Sequence, residues 1–461
     1  MTDKILSHID ATLESRLDRL CDLIRIPSVS TDPAHKPDVA RAAEWLAATL
    51  REMGAEASVR PTPGHPMVVG HLPGPADAPH VLFYGHYDVQ PPDPLDLWET
   101  EPFEPVLRPV EGDTHIVARG ASDDKGALMT FVEACRAYAE VAGGLPLRVS
   151  FLFEGEEESG SASLPGFLAG AAEELACDIV LVCDTDMWDR ETPAVTTMLR
   201  GLVGQEITIR AADRDLHSGM FGNAAANALT VLTGLLASLR TQDGGVAVAG
   251  FYDDVRELAP ETAAQWAALP FDEAGFLRDV GLSVPAGEAD RSVLHQLWAR
   301  PSCEIHGIWG GYTDPGFKTV IPCEAHAKLS FRLVAAQDPL TIRDAFQAHI
   351  RARLPEDCTV SFTDHGLAPA WAMAGENPFL APTLAALADE WGRSTTCGTG
   401  GSIPIIGALK GALGVDALLV GFGRFDNRIH SPNEKFDLSS FHKGMRSWVR
   451  IIDRLGACRS S

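Results

Sequence analysis

The sequence predicts an α/β protein: a mostly parallel sheet covered by helices, with an α+β unit inserted into it. Three observations lead there. Short apolar runs such as Val81–Tyr84, Phe151–Phe153 and Ile179–Val182 alternate with amphipathic helical stretches, the pattern of parallel strands buried on both faces. After Trp188 this gives way to strands with polar alternation at 203–211 and 325–334, and then the first pattern resumes. The length of 461 residues also exceeds that of one ordinary domain. Boundaries are expected near 195 and 370, giving 1–195 and 371–461 as two parts of one domain and 196–370 as the insert.

Each element has its own justification. Ile5, Ile9, Leu13, Leu17, Leu20 and Ile24 keep helical spacing over 4–25. A second helix covers Val39 to Met53 and stops at Gly54, a natural left-handed cap. Strands follow at 56–60, at 67–72 and from His80, the last running into the proline-stopped loop after Tyr87. Another strand over Thr114–Gly120 leads to Gly120–Gly126 and then to a helix at Ala127–Val141. A strand at 147–153, a helix at 164–175 and a strand within Asp178–Trp188 complete the first part. In the insert, a helix near 224–240 and an irregular, partly helical stretch at 250–300 separate its strands. The closing part holds a helix at 377–391, a Gly-rich segment at 398–413, a strand from Ala417 and a helix at Leu438–Leu455.

Composition narrows the function. A net charge of −25 argues against nucleic acid and anionic membrane as partners. Nine cysteines without a CxxC pair indicate reduced thiols and a cytoplasmic protein. Neither a signal-peptide core at the amino end nor a membrane-spanning apolar run is found.

The chemistry concentrates where apolar strands end. Phe151–Phe153 is followed by Glu154, Glu156, Glu157 and Glu158, like charges that repel unless something positive sits among them; the plainer reading is a solvated acidic turn, and two cations would explain how all four crowd there. His86 and Asp88 follow the strand from His80, and Cys183, Asp184 and Asp186 follow Ile179–Val182. In α/β sheets the loops beyond the carboxyl ends of strands converge on one crevice. With Asp123 and Asp124 between glycines, and His430 near the carboxyl end, the set is too acidic for one cation. Imidazole beside carboxylate suits zinc, with manganese or cobalt as alternatives. Taken singly, each has a plainer reading: a surface His-x-Asp pair, an Asp-Asp helix cap, a loop histidine.

GHYDVQP, GASDDKG, EGEEESGS, the Asp184 strand, DLHSG, KTVIP, GGSIP and HSPNE occur in the order found in metal-dependent peptidases related to carnosinase. The chain resembles that family from about residue 20 to 455, and its dipeptidase branch most through HYDVQP and KTVIP. Aminoacylase, acetylornithine deacetylase and succinyl-diaminopimelate desuccinylase are more distant members. The resemblance implies two zinc ions per subunit in a catalytic domain and an inserted lid domain that forms a homodimer.

Carried over by motif, the resemblance implies that His86 binds one metal while Asp88 holds its imidazole in the correct tautomer. Asp123 bridges both ions, and the peptide bond after it is cis. Glu157 is the general base, and Glu158 and His430 bind the second metal. Asp184 completes the shell of the first, with Asp186 as the alternative register. Thr319, Arg332 and Ser402 hold the substrate's carboxylate, and His217 of the partner subunit stabilises the oxyanion. On local pattern alone, His217 reads as a turn histidine and Arg332 as a surface arginine.

The implied activity is hydrolysis of small peptides by a metal-activated water. Gly398 and Thr399 stand where many carnosinase-like chains carry Arg-Glu, which keeps an N-acyl-amino-acid amidohydrolase as the alternative. A serine hydrolase is disfavoured because no G-x-S-x-G elbow occurs. A metal-dependent binding or scaffold protein would predict a damaged site, yet every expected ligand type is present.

Overall fold

The computed structural model describes residues 1–373, 377–401 and 403–458 and divides into two compact units. One comprises 1–197, 373–397 and the residues from 408 on; the other comprises Met198–Ala372 and Gly398–Gly407. Gly398–Gly407 therefore groups with the second unit, whereas the sequence expectation gave it to the main domain.

In the first unit the strands run in the order Glu56–Arg60, Met67–Leu72, Arg148–Glu154, His80–His86, Ile179–Val182, Ala417–Leu419 and Ala194–Leu199. From Arg148–Glu154 to Ala417–Leu419 they are parallel. The flanking pairs are antiparallel. The expected parallel sheet is thus its centre. Helices Lys125–Ala142 and Leu438–Gly456 bring Phe131 and Trp448 into a buried cluster with Phe83, Phe151 and Phe153 of the sheet. Phe83 stacks on Phe131 with centroids 3.9 Å apart, and Trp448 meets Phe131 edge-on at 5.1 Å. Such pairs add about 0.5–1.5 kcal/mol each to the area they bury.

Two local features depart from the sequence reading or go beyond it. The helix expected over 4–25 is two helices, Thr2–Ala11 and Leu13–Ile24. At the break, Thr12 Oγ1 donates to the His8 carbonyl and accepts from Arg16 Nε, so the hydroxyl competes for helical backbone partners. Helix Leu438–Gly456 follows Asp437, whose side chain does not cap it. Asp113 supplies the cap from another strand: its Oδ1 accepts the Ser439 amide at 3.1 Å. A small antiparallel sheet makes this reach short, because Lys435–Asp437 pairs with Asp113–Val117.

The second unit is built on an antiparallel sheet in the order Ser302–Gly310, Glu324–Leu333, Gly201–Arg210 and Thr359–Ala368. Helices Ala228–Ala237 and Pro339–Arg351 share a core with Ile207, Leu329 and Phe331 through Leu232 and Phe346. Only the two inner strands were read from the sequence. The outer two carry register shifts at Ile305/Gly307 and Asp364/Leu367, and these bulges break the alternation that marks a strand. Among the described residues no helix is long and apolar enough to cross a membrane.

Candidate active site

Parallel register brings the strand ends of the first unit level. His86 pairs with Glu154 and Tyr84 with Val182. The residues just beyond these positions, Asp88, Glu157, Glu158 and Asp184, are therefore delivered to the same edge of the sheet. Asp123 comes from the loop ahead of helix Lys125–Ala142, and its bond to Asp124 is cis. His430 comes from a loop where Arg428, His430 and Asn433 all take positive φ, a conformation that non-glycine residues hold only when surrounding contacts fix them.

Two groups result, and they share one carboxylate. The ligand atoms of His86, Asp123 and Asp184 lie within 4.8 Å of one another, as do those of Asp123, Glu158 and His430. Asp123 Oδ1 is 3.1 Å from His86 Nε2, and its Oδ2 is 3.0 Å from His430 Nε2. Glu158 Oε2 lies 3.3 Å from His430 Nε2. Asp186 belongs to neither group; its carboxylate sits beside Gly423.

The donors fit divalent cations. His86 Nδ1 lies 3.1 Å from the carbonyl of Asp88, which can only accept, so Nδ1 carries a proton. Nε2 is buried and has no hydrogen-bond partner, yet carboxylate oxygens stand in front of it. Without a metal, Asp123 and Asp88 overcome burial and hold the ring in its protonated form; a divalent cation can take the place of that proton, since imidazole with carboxylates is a donor set for zinc-type ions.

Protein groups fix these ligands. The carboxylate of Asp88, expected on the imidazole, accepts the amides of Glu157 at 3.2 Å and Glu158 at 3.1 Å. Its Oδ1 remains 3.4 Å from His86 Nδ1. Asp88 therefore holds the histidine mainly through its carbonyl and the Glu157–Glu158 turn through its side chain. Gln90 Nε2 donates to Glu158 Oε2 at 2.7 Å. Glu434 accepts the amides of Gly120, Ser122 and Asp123 and pairs with Arg119 at 2.7 Å.

Gln90 and Glu434 were not among the residues singled out from the sequence. Both lie inside quoted motifs, HYDVQP and HSPNE, and that position was the available signal. The four glutamates also need a correction, since cations do not account for all of them. Glu156 accepts the His65 and Ser163 amides at 2.9 and 3.0 Å, and Glu154 accepts the Ser161 hydroxyl. Glu157 and Glu158 remain for the site.

Electrostatics separates their duties. Burial raises the Glu157 carboxyl above the usual range against the pull of His86, with Glu158, Asp88 and Asp123 adding to it. Burial opposes ionisation of Asp123 too, but the His430 and His86 rings outweigh it and hold that carboxyl low. Contacts with Asp123 and Glu158 push His430 up to about 10. Glu157 is in neither ligand group, which leaves it free to exchange a proton.

Of the other expected residues, His217 is exposed in the short strand Leu216–His217. Its Nδ1 accepts the Gly219 amide at 3.0 Å, the local turn contact that its sequence suggested. The Thr319 carbonyl accepts the neighbouring Ser218 amide. Arg332 lines a cavity of the second unit. Ser402 lies outside the described residues.

The family model described as peptidase family M20/M25/M40 matches residues 82–454. The Cys-Gly metallodipeptidase dug1 of Schizosaccharomyces pombe is 28% identical over 99% of this chain and 98% of its own. The human Beta-Ala-His dipeptidase is 28% identical over 98% and 92%. The solved structure of the di-peptidase Dug1p from Saccharomyces cerevisiae superposes with a TM-score of 0.77, at 28% identity over 99% of both chains.

Proposed function

Because the chain belongs to peptidase family M20/M25/M40, we propose that it is a metal-dependent dipeptidase. The observation that carries this reading is the pair of ligand groups sharing Asp123, with Glu157 beside both and in neither. Relatives named for Cys-Gly and Beta-Ala-His dipeptides support a dipeptide as substrate.

In this reading His86, Asp123 and Asp184 hold one cation, and Asp123, Glu158 and His430 hold the other. Zinc is the inferred metal, with manganese or cobalt as substitutes. Bound there, the cations supply Lewis acidity that polarises the amide carbonyl and makes water acidic enough to attack it near neutral pH. Glu157 takes the water's proton on its carboxylate and returns it to the leaving amine; burial, which raises its carboxyl, favours holding that proton in between. Asp88 keeps Nε2 of His86 as the ligand atom and fixes the backbone of Glu157, so that the base and the ligand keep one spacing.

The second unit is read as the inserted domain through which two copies pair. There Thr319, Arg332 and Ser402 receive the substrate's carboxylate, and His217 donates to the oxyanion in the partner's site. Nine free cysteines support the cytoplasm as the compartment. The test is hydrolysis of a dipeptide library beside N-acyl amino acids by enzyme loaded with Zn²⁺ or Mn²⁺. Dipeptides should be cut; cleavage of the N-acyl compounds alone would replace this reading with the amidohydrolase one.

A further inference from the structure

Strands Ile179–Val182 and Ala417–Leu419 pair in parallel, with Leu419 opposite Val182. Four residues past each of these the same register returns once, at a parallel bridge between Asp186 and Gly423. There the Met187 amide donates to the Gly423 carbonyl at 2.9 Å. Asp186 is thus held by its backbone beyond the carboxyl edge of the sheet, two residues past Asp184 and in the same unit as both ligand groups. Gly423 gives its side chain room, since a Cβ in that place would collide with Asp186 Oδ1.

The carboxylate in this seat has no partner in the protein. Asp88 and Glu156 accept backbone amides and Glu154 accepts a hydroxyl, while Asp184 and Glu158 belong to the ligand groups. Asp186 is exposed, and among the described residues it makes no hydrogen bond or ion pair. The one charge that acts on it is that of Asp123, of like sign. A fixed, unpaired acid beside a site for two cations is a place for a positive group of the substrate.

A dipeptide carries such a group close to its reacting bond. Its α-ammonium stands two bonds from the carbonyl carbon that the cations polarise, so they repel it, and a carboxylate nearby offsets that repulsion. Two residues of chain reach at most about 7 Å, so Asp184 and Asp186 can serve the cation and the ammonium of one substrate. We propose that Asp186 receives the free α-amino group of the substrate's amino-terminal residue in a charge-assisted hydrogen bond, and so makes an unacylated amine a requirement. This rests on the dipeptidase reading and uses residues of the first unit alone.

The decisive comparison is Gly-Ala with N-acetylalanine, which differ only in that amine, measured as a ratio of kcat/KM within each protein. The ratio should be at least about tenfold in the parent enzyme, because a site built to bond a substrate group strongly rejects the analogue lacking it. It should fall toward one in Asp186→Asn with both metals kept, whatever the absolute rates. If that variant is not recovered folded, Gly423→Ala keeps the acid but displaces its carboxylate, and should lower the ratio at least about threefold. A parent ratio near one, or a ratio unchanged in the folded variant, overturns the proposal. Loss of metal in Asp186→Asn also overturns it, by making Asp186 a ligand.

A second arm avoids turnover and uses aminoacetone, which has the amine beside a carbonyl and no amide to cleave. Zinc-loaded enzyme should bind it at least about tenfold more tightly than acetone by ligand-observed NMR titration, and Asp186→Asn should lose that preference. No preference in the parent, or a preference kept by the variant, places the amine elsewhere and overturns the role of Asp186. Failure to cut any dipeptide would instead remove the dipeptidase reading and leave the aminoacetone arm to judge Asp186 alone.

Discussion

Glu434 accepts the backbone amide of Asp123 at 3.0 Å across 311 positions of sequence. Through that bond the loop of the shared carboxylate hangs from the loop that carries His430. Glu434 is fully buried and also neutralises Arg119. Glu434→Gln should therefore leave a buried guanidinium uncompensated and destabilise the protein by about 3–5 kcal/mol. Urea unfolding measures this, and a loss below about 1 kcal/mol would show that the loops are held by other contacts.

Removing the cations should abolish hydrolysis, and Zn²⁺ or Mn²⁺ should restore it. Folding should respond as well: ligand at about 1,000 times its Kd stabilises by about 4 kcal/mol. Thermal melting with and without chelator reads this directly. Active protein without bound transition metal by elemental analysis would contradict the metal site.

Glu157→Gln should lose most turnover and keep both metals. Glu158→Gln should lose metal as well, and Gln90→Leu, which removes the amide that orients Glu158, should weaken metal binding about 10–100-fold. Metal titration separates the three. The reverse pattern, with metal lost in Glu157→Gln and kept in Glu158→Gln, would exchange the two roles.

Acid should weaken the last helix through Asp113. Burial raises that carboxyl, but the Ser439 hydroxyl, the Thr114 and Ser439 amides and Arg424 outweigh it, so its folded value lies below 3.8. A depressed carboxyl stabilises the fold above 3.8 and loses that contribution as pH falls through the folded value. Asp113→Asn keeps an oxygen for the Ser439 amide but loses the charge beside Arg424 and the second oxygen that accepts the Ser439 hydroxyl; it should cost about 1 kcal/mol near neutrality, and the difference should shrink as the medium is acidified below 3.8. Denaturation at several pH values checks it; a difference that grows in acid would refute the assignment.

His217→Ala and Glu157→Ala, each inactive, should regain activity when mixed and reassembled. With random pairing in a twofold dimer, about half the dimers are mixed and each holds one intact site, giving about a quarter of parent activity. Activity that stays at the level of the separate variants, despite proven subunit exchange, would assign His217 to its own subunit.

How much was legible follows from where each signal is stored. The candidate ligands at strand ends were readable because Val81–Tyr84, Phe151–Phe153 and Ile179–Val182 are apolar runs whose next residues are polar. The direction of Asp88 was not: only the folded turn shows its carboxylate on two amides and its carbonyl on His86. Glu156 and Glu434 likewise act on backbone amides, which leave no mark in side-chain spacing. The outer strands of the second unit escaped because bulges shift their alternation.

The shared carboxylate also orders events during synthesis. His86, Asp123, Glu158 and Asp184 leave the ribosome long before His430 and Glu434, on the order of tens of seconds at ordinary elongation rates. One ligand group can close on the growing chain while the other waits for its histidine. A nascent chain stopped before Phe425 should bind half the metal of one extended past Glu434, and hydrolysis should begin only once the loop that carries His430 has emerged.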